Sequence, residues 1–358
     1  MPFAPLFGHA SLRERLATQS ARGALPPSML LHGPLGVGKQ RLALWLAQQM
    51  LCERTPVAPC GECQPCRYVL DGVHPDVHWF FPLPHVKDSS DIALEEVAEV
   101  CAEAIAERAE AGGLYARPDG SNGIFLYVTR LLVQQAVKTP AMAARKVFVV
   151  GDAERMVSQL ASPEAANAFL KLLEEPPADT TIILTSSEPG SLLPTIRSRV
   201  VAVRVAPLAD ADVRAFVSHP DVAAALHKRG APDDTATLVR LAHGAPGSLL
   251  NTTGHGATLQ RARDMLQAAD AGRDRALRSA FGQSTHKARG GFSDVLDALT
   301  VLLHERTRDA VHAGDEPRAR AAARAIGAVE VAKRAAESNL NPQLVAERLL
   351  REFAEMGA

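Results

Sequence analysis

Aromatic side chains are scarce in this sequence, 4% of 358 residues. Stacking platforms for single-stranded nucleic acid need such rings, so that function is disfavoured. Cationic excess is missing too: 39 Lys and Arg stand against 40 Asp and Glu, a formal net charge of −1. Non-specific affinity for DNA comes from clustered Lys and Arg, so a dedicated basic DNA-binding module is not expected. No apolar run approaches the ~20 residues of a membrane span. The stretch MPFAPLFGHASLRERL lacks a basic-then-apolar export signal, which predicts a cytoplasmic protein without membrane contact. What is present is ordinary for a globular chain, 47% hydrophobic and 22% charged, with length for two or three domains.

Cysteine is also sparse, yet four of the five fall in one stretch, CERTPVAPCGECQPC: Cys52, Cys60, Cys63 and Cys66. An odd total in a cytoplasmic chain argues against a disulfide framework. Tetrahedral zinc needs four soft ligands within a small radius, and Pro59, Gly61 and Pro65 favour the turns that gather thiolates. Four cysteines leave no open coordination position, so the expectation is a structural zinc knuckle over 52–66. Cys101 lies in a helical pattern and reads as a small packing residue.

Residues 33–40 read GPLGVGKQ, between an apolar run, SMLLH, and a helical run, RLALWLAQQML. Strand, glycine-rich loop, lysine and helix form the arrangement that holds phosphates on backbone N–H groups. Gly33, Gly36, Gly38 and Lys39 are in place. A Ser or Thr hydroxyl for magnesium should follow; here it is Gln40.

Two further runs, KVFVV (146–150) and TIILTSS (within 180–187), are apolar enough for buried parallel strands, and VVAVRV (200–205) is a shorter one. Between the first two, Ser162 is a candidate N-cap, Pro163 a first helical residue, and Pro176 and Pro177 a stop. Residues 3–27 pattern as a helix leading into a Pro-rich turn. HPDVHWFFPLP reads as extended, 91–111 as a helix, and GGLYARPDGSNG (112–123) as a loop. Over 91–110 seven acids accompany one arginine, the pattern of a solvated helix face. From PLADADVRAFV onward no strand is expected, and AHGAPGSLLN divides two helical blocks. Strand–helix alternation to about residue 205 predicts a parallel α/β sheet covered on both faces.

Taken together, GPLGVGK, the four-cysteine module, KVFVVGDAERM, NAFLKLLEEPPADTTIILTS, LLPTIRSRV and NLNPQLVAERLL resemble the clamp-loader AAA+ proteins of bacterial DNA polymerase III. The resemblance covers nearly the whole chain, in family order. It implies an AAA+ nucleotide-binding-like domain over 1–205, with the zinc knuckle and an acidic helical insertion at about 85–125. A helical lid over 206–254 and an all-α collar over 255–358 follow, the collar being the oligomerisation surface.

Within the family the pattern is similar to the delta-prime branch rather than to the tau/gamma motor. Gln40 replaces the magnesium hydroxyl. Gly151 and Asp152 stand where the motor has Asp-Glu, and Gly247 stands where it has an arginine that senses the γ-phosphate. Phosphoryl transfer depends on metal and positioned charge, so three such losses imply suppressed hydrolysis. The resemblance identifies Arg199, in TIRSR, as an arginine finger acting in trans on a neighbour's ATP; Val200 replaces the Cys of that motif, and Arg197 is left between a structural and a catalytic role. Thr185 takes the place of a polar γ-phosphate sensor. The loop with Lys39 then either holds ATP or ADP statically or is an empty vestige. The implied partners are tau/gamma and delta subunits, with sliding clamp and primed DNA reached through the complex. The alternatives are a tau/gamma-like motor that tolerates Gln40, and a zinc-containing nucleic-acid-binding protein.

Overall fold

The structure, a computed structural model, describes residues 3–54, 58–85, 92–116, 122–156, 163–250, 255–281, 288–337 and 341–356. The chain forms two compact units: Met1–His227 with Pro232–Asn251, and Lys228–Ala231 with Thr252–Ala358.

The first unit is built on five parallel strands: β1 (Ser28–His32), β2 (Val77–Phe80), β5 (Lys146–Val150), β6 (Thr180–Ser186) and β7 (Val201–Arg204), in the order β2-β5-β6-β1-β7. A two-residue antiparallel pair, β3 (Leu83–Pro84) with β4 (Asn122–Gly123), stands apart. The apolar runs of β5 and β6 are buried along their whole length, as strands covered on both faces must be. β7 lies at the sheet's edge and is mostly exposed.

The helices in chain order start with α1 (Ala10–Ala21), α2 (Lys39–Leu51), α3 (Gln64–Leu70), α4 (Leu94–Glu110) and α5 (Leu126–Ala136). They continue with α6 (Pro163–Glu174), the single turn α7 (Pro194–Arg197), α8 (Asp210–Val217), α9 (Pro220–Lys228) and α10 (Thr235–Ala242). α6 begins at Pro163 and ends before Pro176; Ser162 lies outside the described residues. The N-terminal helix is shorter than the 3–27 pattern. Residues before it form no regular element, Gly8 and His9 take left-handed backbone, and the Ala4 N–H donates to Gly112 O at 2.8 Å. Cys101 is buried on α4.

Two buried polar groups tie the sheet to its connections. Lys146 Nζ donates to Ala136 O at 2.7 Å and to Lys138 O, placing a cation at the carbonyl end of α5. Asp76 accepts three backbone N–H groups, from Ala141 (2.5 Å), Met142 (2.8 Å) and Ala143 (2.6 Å).

The second unit is all helix: α11 (His255–Asp270), α12 (Arg273–Phe281), α13 (Ala288–His312), α14 (Glu316–Glu337) and α15 (Pro342–Met356). Leu296, Leu303, Val329, Leu350 and Phe353 lie at the centre of its core. α15 starts with Pro342 after Asn341, whose Oδ1 accepts the Gln343 N–H at 2.9 Å, a capping geometry. Among the described residues no helix is long and apolar enough to cross a membrane.

Burial pushes the Asp76 carboxyl up, but the N–H groups of Ala141, Ala143 and Met142 outweigh it and hold the group below the usual carboxylate range. Its contribution is therefore present above the ordinary value of ~3.9 and is lost as pH falls below it. Asp76→Asn should cost about 1.5–3 kcal/mol in urea unfolding at pH 7. The gap to the wild-type chain should shrink when the titration is repeated below about pH 4.

Candidate functional site

Strands β5, β6 and β1 are neighbours, so the loops after them meet at the carboxyl end of the sheet, where open α/β sheets bind ligands. The loop after β1 is GPLGVGKQ. Gly33 has no room for a side chain, since a Cβ would stand 2.1 Å from Val205 O. Gly36 and Gly38 take left-handed backbone, φ +79° and +93°, and α2 begins at Lys39. The Lys39 ammonium turns back into this loop, donating to Gly33 O (2.9 Å), Pro34 O (2.7 Å) and Ser187 Oγ (2.9 Å).

The Gln40 side chain fills the space beside Gly151. A Cβ on Gly151 would lie 2.5 Å from Gln40 Cδ and 2.5 Å from its Oε1. Gln40 Nε2 donates to Asp152 Oδ2 at 3.2 Å, and Gln40 Oε1 accepts from Trp79 Nε1 at 3.1 Å and from Arg108 Nη1 at 3.4 Å. The residues at 40 and 151 thus share one space: a side chain at 151 would have to move the Gln40 amide out of its hydrogen bonds. This site does not fit a magnesium ion. The hydroxyl and one carboxylate are missing, and a neutral amide fixed in four hydrogen bonds replaces them.

Gly247 is equally constrained. Its N–H donates to Gly36 O at 2.8 Å, and a Cβ there would stand 2.8 Å from the same oxygen. No arginine fits at this position while the backbone lies on the loop. Thr185 is buried, and its Oγ1 accepts the Asp152 N–H at 3.1 Å. The hydroxyl that meets Lys39 is that of Ser187, a residue the motif comparison passed over. Asp152 itself has φ +49°, unusual for a non-glycine residue. Glu154 accepts the Ser187 N–H at 3.0 Å, and burial, with Asp152 beside it, raises its carboxyl above the usual range.

Arg108, Tyr115 and Trp79 were also not singled out by sequence. The guanidinium of Arg108 lies 3.2 Å from the centroid of the Phe81 ring and 4.0 Å from that of Tyr115, and it donates to Tyr115 OH at 3.1 Å. Its one advance signal was being the sole arginine in an acidic helix.

The four cysteines come together. The sulfurs of Cys52, Cys60, Cys63 and Cys66 lie within 4.8 Å of one another, with Cys60 and Cys66 at 3.9 Å. Four thiolates at about 2.3 Å from one zinc stand about 3.8 Å apart, so this set fits the ion. The Cys63 and Glu62 N–H groups donate to Cys60 Sγ and hold its thiol down to about 6, while burial pushes the Cys66 thiol up.

Arg199 stands elsewhere. β7, which follows it, starts level with Met29 at the amino end of β1, so the length of β1, about 16 Å for five residues, separates Arg199 from the loop. It pairs with Glu174 at 3.2 Å and donates to Thr195 O at 2.9 Å. Arg197 is exposed on the same turn.

The family described as "DNA polymerase III, delta subunit" matches residues 8–209. A DNA polymerase III subunit delta' from Pseudomonas aeruginosa is 33% identical over 241 residues, 65% of this chain and 58% of that protein. A DNA polymerase III subunit gamma/tau from Mycobacterium tuberculosis is 28% identical over 55% of this chain and 27% of its own length. The chain spans about half the length of the curated delta' relatives it matches. A solved gamma subunit-related protein from Thermotoga maritima covers 96% of this chain and 99% of its own at 17% identity, with a TM-score of 0.43, too loose a likeness to carry an argument.

Gly151→Ala should displace the Gln40 amide and cost about 1–3 kcal/mol in urea unfolding. Adding Gln40→Ala should recover most of that loss. An additive double mutant would contradict the steric coupling.

Proposed function

The chain belongs to the DNA polymerase III delta-subunit family, and on that premise we propose that it is a clamp-loader subunit of the delta-prime kind that does not itself hydrolyse ATP. The observation that carries this reading is the Gln40 amide seated where a motor needs a metal hydroxyl and a carboxylate. Phosphoryl transfer without bridging metal loses its main source of charge neutralisation. The loop then serves to hold ATP or ADP statically, through Gly33, Gly36, Gly38 and Lys39, with Gln40 and Thr185 shaping its floor.

Arg199 is the residue offered to a neighbour. Its position at the far end of β1 supports action in trans, because its own loop is out of reach. The ion pair with Glu174 is exposed, and such pairs contribute about 0–1 kcal/mol, so Arg199 can leave it for a phosphate. A finger supplied across an interface stabilises the charge that develops on the transferring phosphoryl group. Zinc on Cys52, Cys60, Cys63 and Cys66 would act structurally, tying the segment after α2 to α3 with no open position.

In the assembly so proposed, the partners are tau/gamma and delta subunits in the cytoplasm, and clamp and primed DNA are met through the complex. Residues 1–205 are the AAA+ part, 206–254 the lid and 255–358 the collar that associates with other subunits.

Arg199→Ala should leave the thermal unfolding of the chain and assembly of the loader unchanged. The DNA-stimulated ATPase of the assembled complex should fall at least tenfold; the loss of a finger at a single site is worth ~10³–10⁵. Unchanged turnover would remove the assignment. Metal analysis of the purified chain should find one zinc, with four thiols becoming titratable on chelation and the buried Cys101 only on unfolding.

A further inference from the structure

The acidic insertion plays no part in the reading above, yet it supplies a second buried cation, besides Lys39, at the phosphate loop. The acids of α4 are mostly exposed, whereas Arg108 is 7% exposed and turns inward. Arg41, the second residue after Lys39, also lies beside the loop and donates twice to Ala4 O, at 3.2 and 2.7 Å. Among the described residues neither guanidinium is ion-paired with a carboxylate.

A buried cation without a counter-charge is costly, and two side by side are more so. Burial lowers the Arg41 guanidinium to about 10 and draws Arg108 down as well. Both line a cavity of about 190 Å³ at the loop, together with Lys39; among the described residues the one acid on its wall is Asp152. Two guanidiniums without a carboxylate partner among the described residues suit an anion. The loop's backbone N–H groups and the start of α2 are the phosphate-binding part of the same cavity. Its remaining wall is apolar, with Phe3, Leu6 and Phe7 from the N-terminal segment, which suits a nucleoside.

The position of Arg108 relative to Gln40 decides what form that anion takes. Gln40 occupies the place of the metal-holding hydroxyl, and Arg108 donates to Gln40 Oε1 at 3.4 Å. A cation already stands beside the seat that magnesium would need, and it is fixed on the Phe81 and Tyr115 rings. A second, divalent cation there would be repelled, and of the protein ligands of a motor site only the Asp152 carboxylate, already bonded to Gln40, remains.

We propose that this loop takes a nucleoside di- or triphosphate free of magnesium, with Arg108 from the insertion supplying the charge that the ion supplies elsewhere. The inference rests on the reading of the loop as a static nucleotide holder, and it gives the insertion a role: to carry a tethered counter-cation to the phosphates.

The test is titration of the full-length chain with ADP and ATP, once with excess magnesium and once with EDTA. Affinity in EDTA should equal or exceed that in magnesium. Arg108→Ala should weaken binding in EDTA about 10–100-fold, the loss of a charge-assisted hydrogen bond, and should shift the preference towards the magnesium complex. Arg108→Lys keeps the charge and should retain the indifference to magnesium, which loss of packing alone would not produce. Binding that requires magnesium in the wild-type chain would overturn the role of Arg108 while leaving a static nucleotide in place. Absence of binding under both conditions would overturn the nucleotide reading and this inference together.

Discussion

The carboxamide of Gln40 is the group on which the loop region depends. Its orientation follows from its neighbours: Trp79 Nε1 and the Arg108 guanidinium can only donate, so they face Oε1, and the ionised Asp152 carboxylate can only accept, so it faces Nε2. One amide therefore joins β2, the insertion helix and the turn after β5. That amide fills the space that a side chain at Gly151 would take. Gly247 is glycine for a parallel reason, its backbone lying against Gly36. The three departures from a hydrolytic pattern are two packing arrangements rather than three independent losses.

Those arrangements have an electrostatic consequence. A motor site balances the charge of bound phosphates with a metal ion that arrives with the nucleotide. Here the positive charge is covalently part of the chain, on Lys39, Arg41 and Arg108. Lys39 donates to two loop carbonyls and to Ser187. The aromatic rings around Arg108 lower the cost of burying its charge without neutralising it. In the reading proposed above, such a site holds an anion without moving a phosphoryl group, and Arg199, at the other end of the sheet, is the group offered to chemistry on an adjacent molecule.

Much of the fold was legible in the sequence because it rests on local pattern. KVFVV and TTIILTS are apolar throughout and became central parallel strands; Pro163 and the Pro176–Pro177 pair bracket a helix as their missing N–H groups require. The cysteines were legible because four thiols in fifteen residues have few other uses. What sequence did not show was tertiary. Gln40 and Gly151 are far apart in the chain, and nothing local says that one fills the other's space. Arg108 was visible as a lone cation in an acidic run, but whether it faced solvent or the loop depended on where the insertion packs. Thr185 and Ser187 are two residues apart and point to the same side in an extended strand; the strand's end places Ser187, not Thr185, at Lys39. The N-terminal helix came out shorter because Gly8 and His9 take left-handed backbone just before Ala10, while Phe3 and Ala4 bond to Leu70 and Gly112.

The central claim is that Gln40 has closed the metal seat. The measurement that tests it most directly is steady-state ATP turnover by the purified chain alone, with magnesium in excess. The account predicts no turnover above the rate of a Lys39→Ala variant. Steady turnover that Lys39→Ala abolishes would contradict it, since a metal would then have to be held where Gln40 and Gly151 have replaced its hydroxyl and one of its carboxylates.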